Sequence, residues 1–487
     1  MTKTERWLNL LAFLLDRRYP VPFAIRTHPG PAKASGGRPF QLLLTPSASG
    51  RTFWAQMRHS AVAHLARSAN LSRGNPQRAR GTSGQTEEAQ VNSIKDYKSA
   101  LSVALSLLMA STAAVAQDDG KKWSLGTLQI EKQGYFYVGG QYDDPANPTS
   151  MSGQMYVEYQ IPVKSGKTHD GRPTRYPIVM IHGGGHTGAS FQTTPAGDPG
   201  WADYFLKRGW PVYVVDRPGV AKSTSTGAFG SPTSVQTAED RFAAAEKADP
   251  LIQWPQAHLH TQWPGTGSHT HGDPDFDQYY AHLSPGGTGG GEDFLVRALV
   301  ALLEKIGPAV LMPHSAPGPG TWRVGDTRPD LVKAIVAVEP SGPPFFEAPR
   351  FGMPGGQLTR PWGVSAGFLN YDPPVSDPSQ LSIVQQAQPD GPDLIPCWLQ
   401  GEPARQLPRL AEVPILFVLS ESSYHAPYDH CTSKYLTQAG VPNDFVKLTD
   451  IGIFGNGHIM MVEQNNLEIA RVIEKWLVQA LVVPERP

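Results

Sequence analysis

The sequence predicts an α/β fold, a mostly parallel central sheet with helices on both faces and two cap or lid insertions. Three observations predict it. Five short runs, YPIVMI, WPVYVVD, AVLMP, LVKAIVAV and PILFVL, are apolar without alternation, which suits strands buried on both faces. Segments of helical character lie between them, so strands and crossovers alternate along the chain. Two irregular stretches, about 220–290 and 341–410, leave the carboxyl ends of predicted strands, the edge at which open α/β sheets bind ligands.

The elements are justified in chain order. Residues 1–90 carry thirteen Lys or Arg against four Asp or Glu, whereas the remainder carries 29 against 39. The two parts look like different material. From Val91 the chain reads VNSIKDYKSALSVALSLLMASTAAVAQDDGKK. Lys95 and Lys98 precede an apolar run, Ala100 to Ala110, and Ala114 and Ala116 supply small residues before Gln117. That is the layout of a secretory signal peptide over 91–116, and the run is short for a membrane span. The working protein is therefore expected to begin near Gln117 and to be exported, with 1–90 a non-native or disordered basic leader. The catalytic domain is expected over 117–487. Its acidic balance argues against nucleic acid as a partner.

Residues 122–163 alternate as short strands with Gly and Asp turns between them, an antiparallel start. The first buried run ends in HGGGHTG, residues 182–188. Residues 201–208 read as a helix stopped by Gly209, and Trp210 to Gly219 as the next strand. The first insertion is polar, aromatic and rich in Gly and Pro. A helix follows over 291–307, then the strand AVLMPHS into Ser315, then a strand over 331–340. After the second insertion come a strand over 414–421, a helix over 427–439, the strand DFVKLTDI, and a last helix over about 464–481.

Ser315 lies in LMPHSAPGPG, directly after a buried strand and before helix-compatible residues. A nucleophile elbow needs that context, although the usual G-x-S-x-G has glycines where this chain has Pro313 and Pro317. Pro317 is compatible with a first helical turn, and Pro313 with a strand end. His458, in the loop GNGHIMM before the last helix, stands where a general base is expected downstream of the nucleophile. Three acids are candidates: Glu339 and Glu421 at strand ends, and Asp429. The glycines of HGGGHTG let backbone N–H groups approach a developing oxyanion, with Gly184 as one donor and the N–H of Ala316 as the other.

These residues resemble the α/β-hydrolase superfamily, and more narrowly a group of bacterial secreted esterases with a Ser-Glu-His triad. The blocks that carry the resemblance include IHGGGHTGASFQTTPAGDPGWADYFLKRGWPVYVVDRPGVAKS, LMPHSAPG, AIVAVEP and GNGHIMMVEQNNLEIARVIEKWL, and together they span roughly 130–485. In that group the acid is a glutamate ending the strand after the nucleophile strand. The matching position is Glu339, 24 residues beyond Ser315. The resemblance thus implies a secreted serine carboxylesterase with Ser315, Glu339 and His458 as triad, an oxyanion hole at Gly184 and Ala316, a small-molecule ester as substrate and no cofactor. Members can carry adjacent cysteines in the oxyanion loop, where this chain has Gly184 and Gly185. An amidase or carbamate hydrolase with the same triad is the alternative, and a non-catalytic binding protein a third reading.

His186, Trp263 and His314 are the candidate substrate-binding residues. His258, His260, His269 and His271 near Asp273, Asp275 and Asp277 have ligand chemistry, but their Gly/Pro-rich setting favours a solvated cap, and no metal is expected. Cys397 and Cys431 can form one disulfide in an oxidising compartment, with no spacing to decide it. A membrane partner is not expected for the mature form, and a homodimer is left open.

Overall fold

The computed structural model describes residues 125–163, 175–223, 233–285 and 291–481. The predicted leader and signal segment lie outside the described residues. Eight strands form one sheet. They are β1 (Ile130–Val138), β2 (Met155–Pro162), β3 (Ile178–Ile181), β4 (Val212–Asp216), β5 (Ala309–Pro313), β6 (Val332–Val338), β7 (Ile415–Leu419) and β8 (Asp444–Lys447). Their spatial order is β1-β2-β4-β3-β5-β6-β7-β8. The pairs β1–β2 and β2–β4 are antiparallel, and every later pair is parallel. The antiparallel start and the parallel remainder both follow the sequence expectation.

The unbroken apolar runs have a simple cause. Successive strand side chains point to opposite faces, and both faces here are covered. Ile178 and Met180 of β3 join Val310 and Met312 of β5 on one face, packed against Trp201 and Phe205 of helix α1 (Trp201–Lys207). Val179, Ile181 and Leu311 join the other face. They pack with Leu295, Leu299 and Leu302 of helix α3 (Gly291–Ile306) and Trp322 of helix α4 (Gly318–Thr327). Helix α5 (Asp429–Gln438) adds Tyr435 and Leu436 to that second face, and helix α6 (Asn466–Leu481) adds Ile473 and Leu477 to the first. Each such side chain contributes about 1.5–3 kcal/mol on burial. Buried Glu474 of α6 ties the two helices of its face, accepting from Tyr204 at 3.0 Å and Arg208 at 2.9 Å.

Both insertions differ in detail from the expectation. The first contains a helix the sequence reading did not assign, α2 (Pro274–Ala281). Asp273 caps it by accepting from the N–H of Asp275 at 3.1 Å, and Pro274 fills the first turn, where no donor is needed. The aspartates considered as metal ligands thus serve a helix N-terminus, where negative charge is favoured. The second insertion is built from irregular chain and two small ribbons, Phe345–Phe346 with Leu358–Arg360 and Ile383–Gln385 with Trp398–Gln400. A disulfide between Cys397 and Cys431 ties it to α5. The predicted strand DFVKLTDI is shorter than expected, because Leu448–Ile451 winds into a 3₁₀ turn after β8.

Candidate active site

Three loops at the carboxyl edge of the sheet carry the predicted triad. Ser315 follows β5 in the left-handed region at φ 63°, the sharp strand-to-helix turn that an exposed nucleophile needs. Hydrogen bonds fix the turn on both sides. The Ser315 N–H donates to Val338 O at 3.1 Å, and its carbonyl accepts from Gly318 at 3.0 Å and Ser341 at 2.8 Å. The prolines are accommodated without glycine at their own positions. Pro317 is the N-cap of α4 rather than a residue of its first turn, and Pro319 lies inside that turn. The position that tolerates no side chain is Gly318, where a Cβ would stand 2.6 Å from Pro340 Cβ.

Glu339 also has a positive φ, 44°, one residue past β6. Its buried carboxylate is held from several directions. Oε1 accepts from the N–H and hydroxyl of Ser420 at 2.8 and 2.5 Å, and Oε2 accepts from Ser423 Oγ at 2.6 Å. His458 Nδ1 meets the same Oε2 at 2.6 Å. Burial pushes the Glu339 carboxyl well above its ordinary value, with Asp429 adding to the rise and the serines opposing it. Of the three acid candidates, only Glu339 meets His458. Glu421 accepts from the N–H of Gly455 at 2.8 Å, and Asp429 pairs with His425 Nδ1 at 2.8 Å.

The His458 ring is enclosed. His425 stacks on it at 4.4 Å and 9°, Tyr424 lies at 4.5 Å, His314 at 4.4 Å, and Phe242 of the first insertion at 6.1 Å. Burial holds its pKa well below that of an ordinary histidine, and neighbouring His425 and His314 push the same way. Among the described residues no hydrogen bond joins Ser315 Oγ to His458, whose Nδ1 is taken up by Glu339. Catalytic hydrogen bonds are often loose before substrate arrives.

Gly184 and Ala316 face each other, since a Cβ on Gly184 would lie 3.8 Å from that of Ala316. Neither N–H donates to a protein acceptor among the described residues. The aim of the Gly184 N–H is set by the other end of its peptide. The Gly183 carbonyl is held by Arg217 Nη2 at 3.1 Å and by His182 Nδ1 at 2.9 Å, and a planar trans peptide then points the next N–H the opposite way. Gly183 itself is pressed against the elbow, with a would-be Cβ 2.8 Å from His314 Nδ1.

The three candidate substrate-binding residues are packed into the surroundings. His186 is 2% exposed and braces the oxyanion loop, with Nδ1 on Gly184 O and Nε2 on the Tyr279 hydroxyl, both at 2.8 Å. His314 directs Nε2 to the carbonyl of His458 at 2.9 Å. Trp263 stacks edgewise on Tyr279 at 4.8 Å inside the first insertion. The four insertion histidines do not share one centre. His260 and His269 both face Glu246, at 3.6 and 3.8 Å, and His260 also pairs with Glu463 at 2.9 Å; His271 pairs with Glu239 at 2.8 Å, while His258 bonds the carbonyl of Pro255.

Sequence reasoning missed Ser420, Ser423, Tyr424 and His425, the loop beyond β7 that holds the Glu339 carboxylate and packs on the His458 ring. Its signal was present in LSESSYH, a run of hydroxyls and a histidine at a strand's carboxyl end, but that stretch was weighed only for Glu421.

No family model matches the chain. It is 41% identical over 351 residues to a fungal protein described as "Probable secreted lipase phiG" (Fungal sp., strain ATCC 74256), across 71% of this chain and 90% of that one. Among solved structures it is similar to one described as a novel bacterial esterase, at 24% identity, 74% and 99% coverage and a TM-score of 0.45. It is also similar to the naproxen esterase of Bacillus subtilis, at 14% identity, 72% and 93% coverage and a TM-score of 0.33.

Proposed function

The chain belongs to the α/β-hydrolase superfamily, in the family of the fungal protein it matches, and from that premise we propose that it is an exported serine carboxylesterase. The observation that carries this reading is the pairing of His458 with Glu339 at 2.6 Å beside a serine held at φ 63°.

In the proposed cycle His458 Nε2 takes the Ser315 proton while Oγ attacks the ester carbonyl. Glu339 keeps the imidazole in the tautomer that leaves Nε2 free and stabilises the charge that forms. The N–H groups of Gly184 and Ala316 receive the oxyanion. Collapse releases the alcohol with the proton from His458, and water then removes the acyl group by the same path in reverse. The name of the fungal relative supports an ester substrate and export. The Cys397–Cys431 disulfide supports an oxidising compartment. We assign 91–116 as the exported protein's signal segment and 117–487 as the working chain.

The test uses residues 117–487, with and without Ser315→Ala, on p-nitrophenyl esters of increasing acyl length. Activity that disappears with the serine supports the nucleophile, and the length profile sizes the acyl pocket. A folded wild-type protein inert on every ester overturns the esterase reading and brings amides and carbamates forward.

A further inference from the structure

We propose that His186 is a positioning residue for the oxyanion hole, braced by Tyr279 of α2, so that the first insertion sets the aim of the Gly184 N–H. The inference rests on the esterase reading above. Gly183, Gly184 and Gly185 are consecutive, and a glycine backbone turns to positive φ about as readily as to negative. A donor on such a stretch keeps one direction only if its peptides are tied from outside.

All three carbonyls of the stretch are tied. Gly183 O is held by Arg217 Nη2 at 3.1 Å and His182 Nδ1 at 2.9 Å. Gly184 O accepts from His186 Nδ1 at 2.8 Å. Gly185 O accepts from the N–H of Ser284, three residues beyond α2, at 3.0 Å. The bonds to Gly183 O fix the peptide plane that carries the Gly184 N–H. The bond from His186 fixes the plane on the other side of the Gly184 Cα. Two planar peptides held in place determine the φ and ψ between them.

The roles along this chain of bonds are mutually consistent. A carbonyl oxygen only accepts, so His186 Nδ1 carries a hydrogen. Burial, with His282 and His314 pushing the same way, holds the ring well below the ordinary histidine value. The ring is therefore neutral, Nε2 is an acceptor, and the Tyr279 hydroxyl 2.8 Å away donates to it. Side chains of the first insertion hold both rings. Phe242 meets His186 edgewise at 5.4 Å, and Trp263 meets Tyr279 at 4.8 Å. Just past the loop, Ser190 Oγ meets Nε2 of His282, the residue that ends α2, at 3.1 Å.

Three variants of the 117–487 chain test the assignment on a p-nitrophenyl ester. His186→Phe keeps a ring and removes both bonds. The expected kcat is about 10- to 100-fold lower with KM within about threefold, somewhat less than the loss of an oxyanion donor outright. His186→Asn restores an N–H for Gly184 O and should recover most of that loss. Tyr279→Phe removes only the hydroxyl and should lower kcat about 3- to 10-fold. Titration with a fluorophosphonate to completion counts competent sites, so misfolded protein does not enter kcat. A trifluoromethyl ketone, which forms a tetrahedral oxyanion on the serine, should lose affinity in step with kcat/KM, a response that general loosening does not produce. Either Phe variant with kcat within about twofold of wild type, an Asn variant no better than Phe, or unchanged affinity for the ketone overturns the assignment. A wild type inert on every ester removes the premise instead, which is a separate result.

Discussion

Glu339 occupies a left-handed backbone position that a glutamate adopts only when its surroundings over-determine it, at a cost of about 1–3 kcal/mol. The Ser420 and Ser423 donors and the His458 ring provide that determination. Glu339→Gln should keep the shape yet lower kcat about 10³- to 10⁴-fold, because the amide no longer enforces the productive tautomer. Glu421→Gln should stay within a few-fold of wild type, since Glu421 holds only a loop N–H. Steady-state kinetics on one p-nitrophenyl ester distinguish the two. His458, the proposed base, makes a second residue-scale prediction. His458 is held well below the ordinary histidine pKa by burial, so its neutral, active form persists as pH falls. The acid limb of kcat/KM should therefore lie below pH 6.5, and a pH–rate profile checks it. Ser315 and His458 were legible in the sequence because their neighbours announce a strand end and a loop. The choice of Glu339 over Glu421 was not legible from spacing. Both end strands; the family resemblance pointed to Glu339, and in the fold it is the Glu339 carboxylate that meets the imidazole.

Helix α5 shows how one element can serve two tasks. Its first residue, Asp429, holds His425 beneath His458, and Cys431, two residues on, anchors the second insertion. Replacing both Cys397 and Cys431 by Ser should lower the unfolding free energy by about 3–4 kcal/mol, the chain-entropy value for a loop of this length. Denaturant unfolding of the oxidised protein and the double variant measures it. The central strands were legible because burial on both faces removes polar residues from them. Helix α2 was not, because eight residues among glycines and prolines give too little periodicity, although Asp273-Pro274 is a helix-start signal. The ribbons of the second insertion depend on partners more than ten residues away, which local sequence does not specify.

Across the whole described chain, a buried charge cluster joins the first insertion to the loop of the base. His260 lies between Glu463 at 2.9 Å and Glu246 at 3.6 Å. Glu463 in turn accepts from Gly457, the residue before His458, at 2.9 Å. Burial pulls the His260 pKa down, but the two glutamates outweigh it and raise it to about 9. Trp263 packs on the ring, and Lys247 and His269 are the nearby groups that share Glu246. A folded value above the unfolded one stabilises the protein fully below pH 6.5 and loses that stabilisation as pH rises through about 9. Wild type should therefore lose about 2–3 kcal/mol of unfolding free energy between pH 6 and pH 10 from this group, and His260→Gln should lack that decline. Urea titrations at the two pH values test it.

The long separation of the three proposed triad residues along the chain has a practical side. Ser315 and Glu339 precede the exposed stretch 387–389 in the second insertion, and His458 follows it, as does the whole disulfide. A chain divided there yields two pieces, neither with a complete proton relay, and colour from a chromogenic ester would require β6 and β7 to find each other again. Fused to two proteins under study, the pieces would form a complementation reporter for their association outside the cell.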